Sequence, residues 1–306
     1  MSSVLERLIR ATLDRPAARR LWKGGLGRRV RSSAVYRRAL VARKRRNAVR
    51  AERQSPGALG GIDTVCVLIG HTKSGGSLLG AMLDAHPSVI FGDEVDVVGL
   101  CLADFTPVQI FRSLERSARR EASRGRVTAR RLGGYSLAIP GWQGSHDRPK
   151  VAGVSRSGPT TRVLGSSEAT LNRVLATFDG YRLANVQVVR RPHDSVAAMV
   201  LRSGREPLNA IADYEAQCER LEHLRDRLAD LVTIHYEELV GDPARTLSAI
   251  VEFLSIEVIP EHVEACAAMV DPGRVPESEL IEWPPGAREA IESVVERFDF
   301  LARYRE

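Results

Sequence analysis

The sequence predicts an α/β fold of three layers, in which a mostly parallel central sheet is flanked by helices. Short β-branched runs alternate with helical patterns through most of the chain, and the clearest runs are 64–69, 185–189 and 231–235. This alternation favours parallel pairing, because each helix returns the chain to the edge where the next strand begins. The length of 306 residues is sufficient for one large domain of this kind.

The first 55 residues are predicted to form a separate, basic helical arm. They contain 17 Lys and Arg but 3 Asp and Glu, whereas the remaining residues contain 28 basic and 35 acidic ones. Such an arm suits an anionic surface, and a peripheral membrane contact through residues 1–55 is one expectation. Packing on the domain or on a second subunit of a homo-oligomer is the other. Nucleic acid is disfavoured, because no aromatic interleaving or named DNA-binding pattern is present.

A Gly- and Pro-rich segment, 55–61, separates the arm from the domain predicted over residues 56–306. Beyond it the expected elements follow in order. Strands are expected at 64–69, 89–91, 151–154, 185–189 and 231–235, and helices at 76–85, 107–124, 167–178, from 192, 208–228, 243–254 and 287–304.

The four cysteines lie far apart and none belongs to a C-x-x-C pair, so neither a metal site nor a disulfide framework is expected. We find no secretory signal pattern and no apolar run long enough to span a bilayer. These observations favour a cytoplasmic protein, with a location at the inner membrane surface if the arm binds lipid.

The loop between the first strand and the first helix of the domain predicts an anion site. It reads Gly70-His-Thr-Lys-Ser-Gly-Gly-Ser77. Backbone N–H groups at a helix N-terminus attract phosphate, and glycines allow the backbone to approach it closely. In a Walker A loop the lysine would stand at position 76, where this chain has glycine, and Lys73 comes three residues earlier. Triphosphate hydrolysis is therefore disfavoured.

Three motifs in one order resemble the sulfotransferase family, in particular its carbohydrate and bacterial branch. Lys73–Leu79 and Leu83–Pro87 resemble the loop and helix that hold the 5′-phosphosulfate. The run 188–194, with Arg190, Pro192 and Asp194, resembles the 3′-phosphate motif R-x-P-x-D. The run 236–243 resembles the segment Y-E-x-L…D-P. The resemblance covers about residues 63–255.

The resemblance implies a P-loop NTPase-like fold and transfer of a sulfuryl group from 3′-phosphoadenosine 5′-phosphosulfate (PAPS). The acceptor would be a hydroxyl of a sugar, glycolipid or small-molecule alcohol, the product adenosine 3′,5′-bisphosphate, and no metal would be needed. Lys73 would stabilise charge on the leaving phosphate oxygen, and Glu94 would be the catalytic base. The expected nucleotide-binding residues are Lys73, Ser74, Gly75, Gly76, Ser77, Leu78, Arg190, Arg202 and Arg274.

Several alternatives stay open at this point. Ala198 stands where the family usually has a serine that contacts the 3′-phosphate, and Arg202, one turn beyond, is our candidate replacement. Asp93 and Asp96 are alternatives to Glu94 as the base. The competing functions are a phosphotransferase with a degenerate P-loop and a non-catalytic nucleotide-binding module that acts through its basic arm.

Overall fold

The computed structural model describes residues 33–128, 135–271 and 275–305. The chain divides into two compact units, with the boundary between Arg50 and Ala51. The boundary predicted between residues 55 and 56 stays a prediction. Arg274 and the first 32 residues of the arm lie outside the described residues.

The described part of the arm lies on helix α1, Ala34–Gln54, which has eight basic residues and one acidic residue. At 100° per residue, Val35 and Val49 lie on one side of the helix, but Arg46 and Arg53 lie on that side as well, and Leu40 points away from it. This stretch therefore offers positive charge rather than the apolar face of an interfacial membrane helix. No helix within the described ranges is long and apolar enough to cross a membrane.

The second unit is built on one parallel sheet, in which the strand order is β2-β5-β1-β6-β7. The strands are β1 Thr64–Gly70, β2 Val89–Gly92, β3 Val127–Thr128, β4 Tyr135–Ser136, β5 Val151–Val154, β6 Arg182–Val189 and β7 Leu231–His235. Strands β3 and β4 pair with each other in an antiparallel ladder outside the main sheet.

Helices follow the strands along the chain. They are α2 Gly76–Asp84, α3 Val97–Leu102, α4 Pro107–Ala122, α5 Ser157–Leu164, α6 Glu168–Thr177, α7 Pro192–Ser203, α8 Pro207–Arg227, α9 Tyr236–Gly241, α10 Pro243–Phe253, α11 Pro260–Ala267 and α12 Ala287–Arg297. Two 3₁₀ turns, Glu277–Glu279 and Asp299–Tyr304, lie on either side of α12 in sequence. The predicted α/β fold, a mostly parallel central sheet flanked by helices, is confirmed.

The sheet is the centre of the hydrophobic core, and its burial explains the uninterrupted apolar runs in the sequence. Every residue of β1, β2 and β5 is buried. Strands covered by helices on both faces are apolar throughout rather than alternating. A core cluster of buried side chains includes Leu68 of β1, Phe91 of β2 and Val186 of β6.

The strand order makes the carboxyl end of β1 the expected place for a ligand. From β1 the chain crosses to β2 on one side, and β6 lies on the other side. In open α/β sheets, ligands bind outside the carboxyl ends of the strands at such a switch point. The register brings Gly70 beside Val188 and Gly92 beside Val154, so the turns after these strands meet at one edge.

Candidate functional site

The predicted loop leaves β1 at Gly70 and enters α2 at Gly76. Gly75 is the N-cap of α2 and has a φ of 103°, in the left-handed region that favours glycine. Because glycine has no side chain to cap the helix, the first N–H groups of α2 are available to an anion in the loop. Leu78 lies in the first turn of α2 and packs against the core.

Hydrogen bonds from three directions hold the loop in place. The Ser74 hydroxyl donates to the His71 carbonyl at 2.9 Å. The Thr161 hydroxyl on α5 accepts from the Gly70 N–H at 2.9 Å and donates to the Gly70 carbonyl at 3.0 Å. Arg190 Nη1 donates to the Lys73 carbonyl at 3.3 Å. The backbone of the loop is therefore fixed by the protein itself.

Two glycines of the loop have no room for a side chain. A Cβ at Gly75 would lie 2.4 Å from Cδ2 of Tyr236, and a Cβ at Gly76 would lie 2.8 Å from Oγ of Ser157. Both distances are shorter than contacts that real Cβ atoms make. The glycine pair is therefore required by packing as well as by the approach of a ligand to the backbone.

The side chain of His71 is buried and packs against α8. Its ring stacks on Tyr214 with centroids 3.8 Å apart, and Nε2 lies 3.3 Å from both the Tyr214 carbonyl oxygen and Cys218 Sγ. Burial lowers the pKa of this imidazole to about 3, so the ring is neutral at physiological pH.

Lys73 and Glu94 occupy the turns after β1 and β2, and both have a left-handed backbone, with φ of 76° and 53°. The Glu94 side chain is 67% exposed, and its Oε2 lies 3.8 Å from Nε of Arg156. Burial of the carboxyl and the neighbouring Asp93 raise the pKa of Glu94, while Arg156, Arg202 and Lys73 oppose that shift. Glu94 therefore lies within electrostatic range of three cations, including Lys73.

The two alternative bases are engaged elsewhere. Asp93 Oδ1 accepts from the Ser155 hydroxyl at 2.7 Å. Asp96 is the N-cap of α3 and forms an ion pair with Nη1 of Arg156, with Asp96 Oδ1 at 2.6 Å. Both carboxylates thus stabilise the local fold, which favours Glu94 among the three as the group available to a ligand.

Arg190 follows β6 and is buried beneath the loop. Its guanidinium lies over the ring of Tyr236, with Cζ 4.6 Å from the centroid, and Nη2 forms an ion pair with Glu277. The third nitrogen, Nε, is buried and has no hydrogen-bond partner among the described residues. Arg190 therefore retains one buried N–H donor that no described residue uses.

The remaining predicted residues are spread along α7. Ala198 is buried, and Arg202 is exposed near the end of the helix. The interaction of Arg202 with Glu94 places it toward the Glu94 side of the candidate site. Ser195 is buried, and its hydroxyl has no hydrogen-bond partner in the described part of the chain.

Two residues near the site, Tyr236 and Glu277, were not predicted to belong to it. Tyr236 directly follows β7, so its position at the carboxyl edge of a parallel sheet was a usable signal. Glu277 had no such signal, because it is 87 positions from Arg190 in sequence. Across the described ranges, no group of three His, Cys, Asp or Glu side chains could hold a metal ion.

Comparisons with known proteins point to one family. The model described as "Sulfotransferase family" matches residues 166–260. The sulfotransferase domain of the Synechococcus PCC 7002 olefin synthase is 15% identical, with 77% of this chain and 94% of that chain covered and a TM-score of 0.49. The sulfotransferase domain of the curacin biosynthetic pathway is 17% identical, with coverage of 77% and 97% and a TM-score of 0.49. Sulfotransferase STF9 from Mycobacterium avium is 11% identical, with 88% of each chain covered and a TM-score of 0.46. No curated protein sequence matches the chain.

The fold and the loop define an α/β protein with a candidate anion site at the carboxyl end of β1. The family match confirms the resemblance of this chain to the sulfotransferase family, and it supports sulfuryl transfer in general as the chemistry. The matched residues include Arg190 and the segment that begins at Tyr236. Lys73 and Glu94 precede them.

Proposed function

We propose that the protein transfers a sulfuryl group from PAPS to a hydroxyl of an acceptor and releases adenosine 3′,5′-bisphosphate. The observation that carries the proposal is the convergence of Lys73, Glu94 and Arg190 on one candidate site. Lys73 and Glu94 interact electrostatically, and Arg190 donates a hydrogen bond to the Lys73 carbonyl. This reaction requires a cation for the leaving phosphate, a carboxylate that removes the proton, and a second cation for the distant phosphate.

The residues present fit the donor in two places. The loop between β1 and α2 presents backbone N–H groups at a helix N-terminus, and its two glycines add no side chain of their own there. The buried guanidinium of Arg190 lies beneath the loop with a donor that no described residue uses. A donor with a 5′-phosphosulfate and a 3′-phosphate would place one anion at each position.

Each residue has a proposed role in the reaction. PAPS, when bound, supplies an activated sulfuryl group. Lys73 stabilises negative charge on the leaving phosphate oxygen, and Ser77 adds a hydroxyl contact to the N–H groups of the loop. Glu94 removes the proton from the acceptor hydroxyl, and its raised pKa makes it a stronger base than an ordinary glutamate. Arg190 binds the 3′-phosphate, with Arg202 and Arg274 as further candidates.

The acceptor is proposed to be a sugar, glycolipid or small-molecule alcohol. Glu94 supports an acceptor that must be deprotonated by a positioned base, as an aliphatic hydroxyl must. The positive charge of α1 is compatible with an acceptor at an anionic lipid surface. Membrane contact through residues 1–55, homo-oligomer formation and the cellular location stay predictions.

The test combines nucleotide binding with sulfuryl transfer. Titration calorimetry should show that the protein prefers adenosine 3′,5′-bisphosphate to ATP–Mg²⁺. Transfer from ³⁵S-labelled PAPS to a panel of alcohols and glycolipids should fall about 10² to 10³-fold in Lys73→Ala, as when one preorganised charge stabiliser is removed. Glu94→Gln should lower the rate of sulfuryl transfer by about 10² to 10⁴-fold.

Lys150→Ala is the matched control for Lys73→Ala. Lys150 is an exposed lysine that directly precedes β5, at the opposite edge of the sheet, so its loss should leave transfer unchanged. A preference for ATP–Mg²⁺ would instead indicate a phosphotransferase. Binding of the bisphosphate without transfer to any acceptor would indicate a non-catalytic nucleotide-binding module.

A further inference from the structure

Residues 275–283, which we call the latch, pack on the first turn of α7. The latch contains the 3₁₀ turn Glu277–Glu279, and its Ser278 N–H donates to Asp194 Oδ1 at 3.0 Å. Trp283 Nε1 donates back to the Ser278 carbonyl at 3.0 Å, and its ring meets His193 edge-on with centroids 5.8 Å apart. These contacts bring one carboxylate, that of Glu277, to the anion site.

Glu277 and Arg190 form a buried ion pair. Their side chains are 10% and 8% exposed, so water contributes little to their solvation. A buried charge is stable only when it is paired, because removing an isolated charge from water costs several kcal/mol. In this state the Glu277 carboxylate therefore neutralises Arg190.

We propose that Glu277 is an intramolecular competitor of the donor's 3′-phosphate, so that the carboxylate must leave Arg190 before the nucleotide can bind fully. This inference rests on the proposed function. It adds to that function a residue, Glu277, that sets the affinity for nucleotides with a 3′-phosphate. The latch is then displaced by the nucleotide and returns when the product departs.

The geometry of the guanidinium carries the argument. Arg190 donates from Nη1 to the Lys73 carbonyl, and its Nη2 forms the ion pair with Glu277. The ring of Tyr236 covers one face of the guanidinium. The edge formed by Nε and Nη2 is the edge with an unused donor. A phosphate that accepts two parallel N–H···O bonds from that edge must share Nη2 with Glu277, which already uses one of its two N–H groups. Two anions close to one nitrogen repel each other, so the carboxylate and the phosphate compete for Arg190.

The first test measures nucleotide affinity in Glu277→Gln by titration calorimetry. The variant keeps the size and a hydrogen-bonding group of the side chain but removes the competing charge. We expect it to bind adenosine 3′,5′-bisphosphate about tenfold more tightly than the wild type does. Its affinity for adenosine 5′-phosphate, which has no 3′-phosphate, should be unchanged. Glu279→Gln is the matched control, because Glu279 is an exposed carboxylate on the same turn.

The second test uses the unmodified protein and follows hydrogen–deuterium exchange of the latch. Displacement of Glu277 should release the Ser278 N–H from Asp194, so saturating adenosine 3′,5′-bisphosphate should accelerate exchange in peptides that span 275–283. Adenosine 5′-phosphate should not do so. Trp283→Phe, which removes the N–H bonded to the Ser278 carbonyl, should loosen the latch and tighten binding of the bisphosphate.

The outcomes distinguish failure of the proposed role of Glu277 from failure of the proposed donor. Weaker binding of the bisphosphate by Glu277→Gln would mean that Glu277 positions Arg190 for phosphate, and the competitor role would be overturned. Equal affinity together with unchanged exchange would overturn it as well. If neither wild type nor variant binds the bisphosphate, the proposed donor is wrong, and the inference that depends on it falls too.

Discussion

Gly75→Ala should destabilise the protein by more than its small change in volume suggests. The residue has a φ of 103°, where an L-amino acid is strained by roughly 1–2 kcal/mol. The new Cβ would also lie 2.4 Å from Cδ2 of Tyr236, and overpacking of this kind costs about 1–3 kcal/mol. We therefore expect the free energy of unfolding, measured by urea denaturation, to fall by about 2–5 kcal/mol.

Two controls divide this loss into its causes. Gly204→Ala places a Cβ at a φ of 67° with no heavy atom within 4 Å, so it should show the backbone strain alone. In a Tyr236→Ala background the collision disappears, and Gly75→Ala should then cost less than it does in the wild type. The reasoning is refuted if Gly75→Ala costs the same as Gly204→Ala in the wild-type background, or costs equally with and without the Tyr236 ring.

Two further predictions concern ionisable groups. Desolvation and Asp93 raise the pKa of Glu94 while Arg156 lowers it, so Arg156→Gln should raise that pKa further. Because Glu94 must be ionised to act as the base, the acidic limb of the kcat/KM–pH profile should then move to higher pH. The substitution of an exposed arginine, Arg162→Gln, should leave the limb in place. An unmoved limb in Arg156→Gln would contradict the proposal that Glu94 is the base. Burial raises the pKa of the Cys66 and Cys266 thiols to about 12, so a thiol reagent at pH 8 should label them only after unfolding in urea. Rapid labelling of either thiol in the folded protein would show that the core around it opens.

The five parallel strands could be predicted because their signals are local. A strand buried on both faces, such as β1, has a continuous β-branched run that needs no partner to be recognised. Helix α5 was not predicted, because Ser157-Gly-Pro159 at its start is typical of a turn. Its position depends on tertiary contacts instead, including the two hydrogen bonds between Thr161 and Gly70.

The candidate site shows the same division between local and distant signals. Lys73 and the loop glycines could be found because they lie between a strand and a helix in one short segment. Glu94 was identified by family resemblance. The ion pair of Arg190 with Glu277 joins two distant segments of the chain, and neither segment has a sequence pattern that points to the other. Only the folded chain therefore reveals that the candidate anion site contains an internal carboxylate.

The left-handed backbone at Lys73 and Glu94 argues that the protein holds both turns in place for a purpose. Each such residue costs roughly 1–2 kcal/mol, and it persists only where surrounding contacts enforce it. The turn at Lys73 is held by the Arg190 hydrogen bond to its carbonyl. The turn at Glu94 is held through its neighbour Asp93, which accepts from the Ser155 and Ser117 hydroxyls at 2.7 and 2.9 Å. These hydrogen bonds are made to the backbone of the turns or to the neighbouring Asp93 side chain. Strained turns that the surrounding structure stabilises therefore carry Lys73 and Glu94, which is the arrangement that their proposed roles as preorganised reacting groups require.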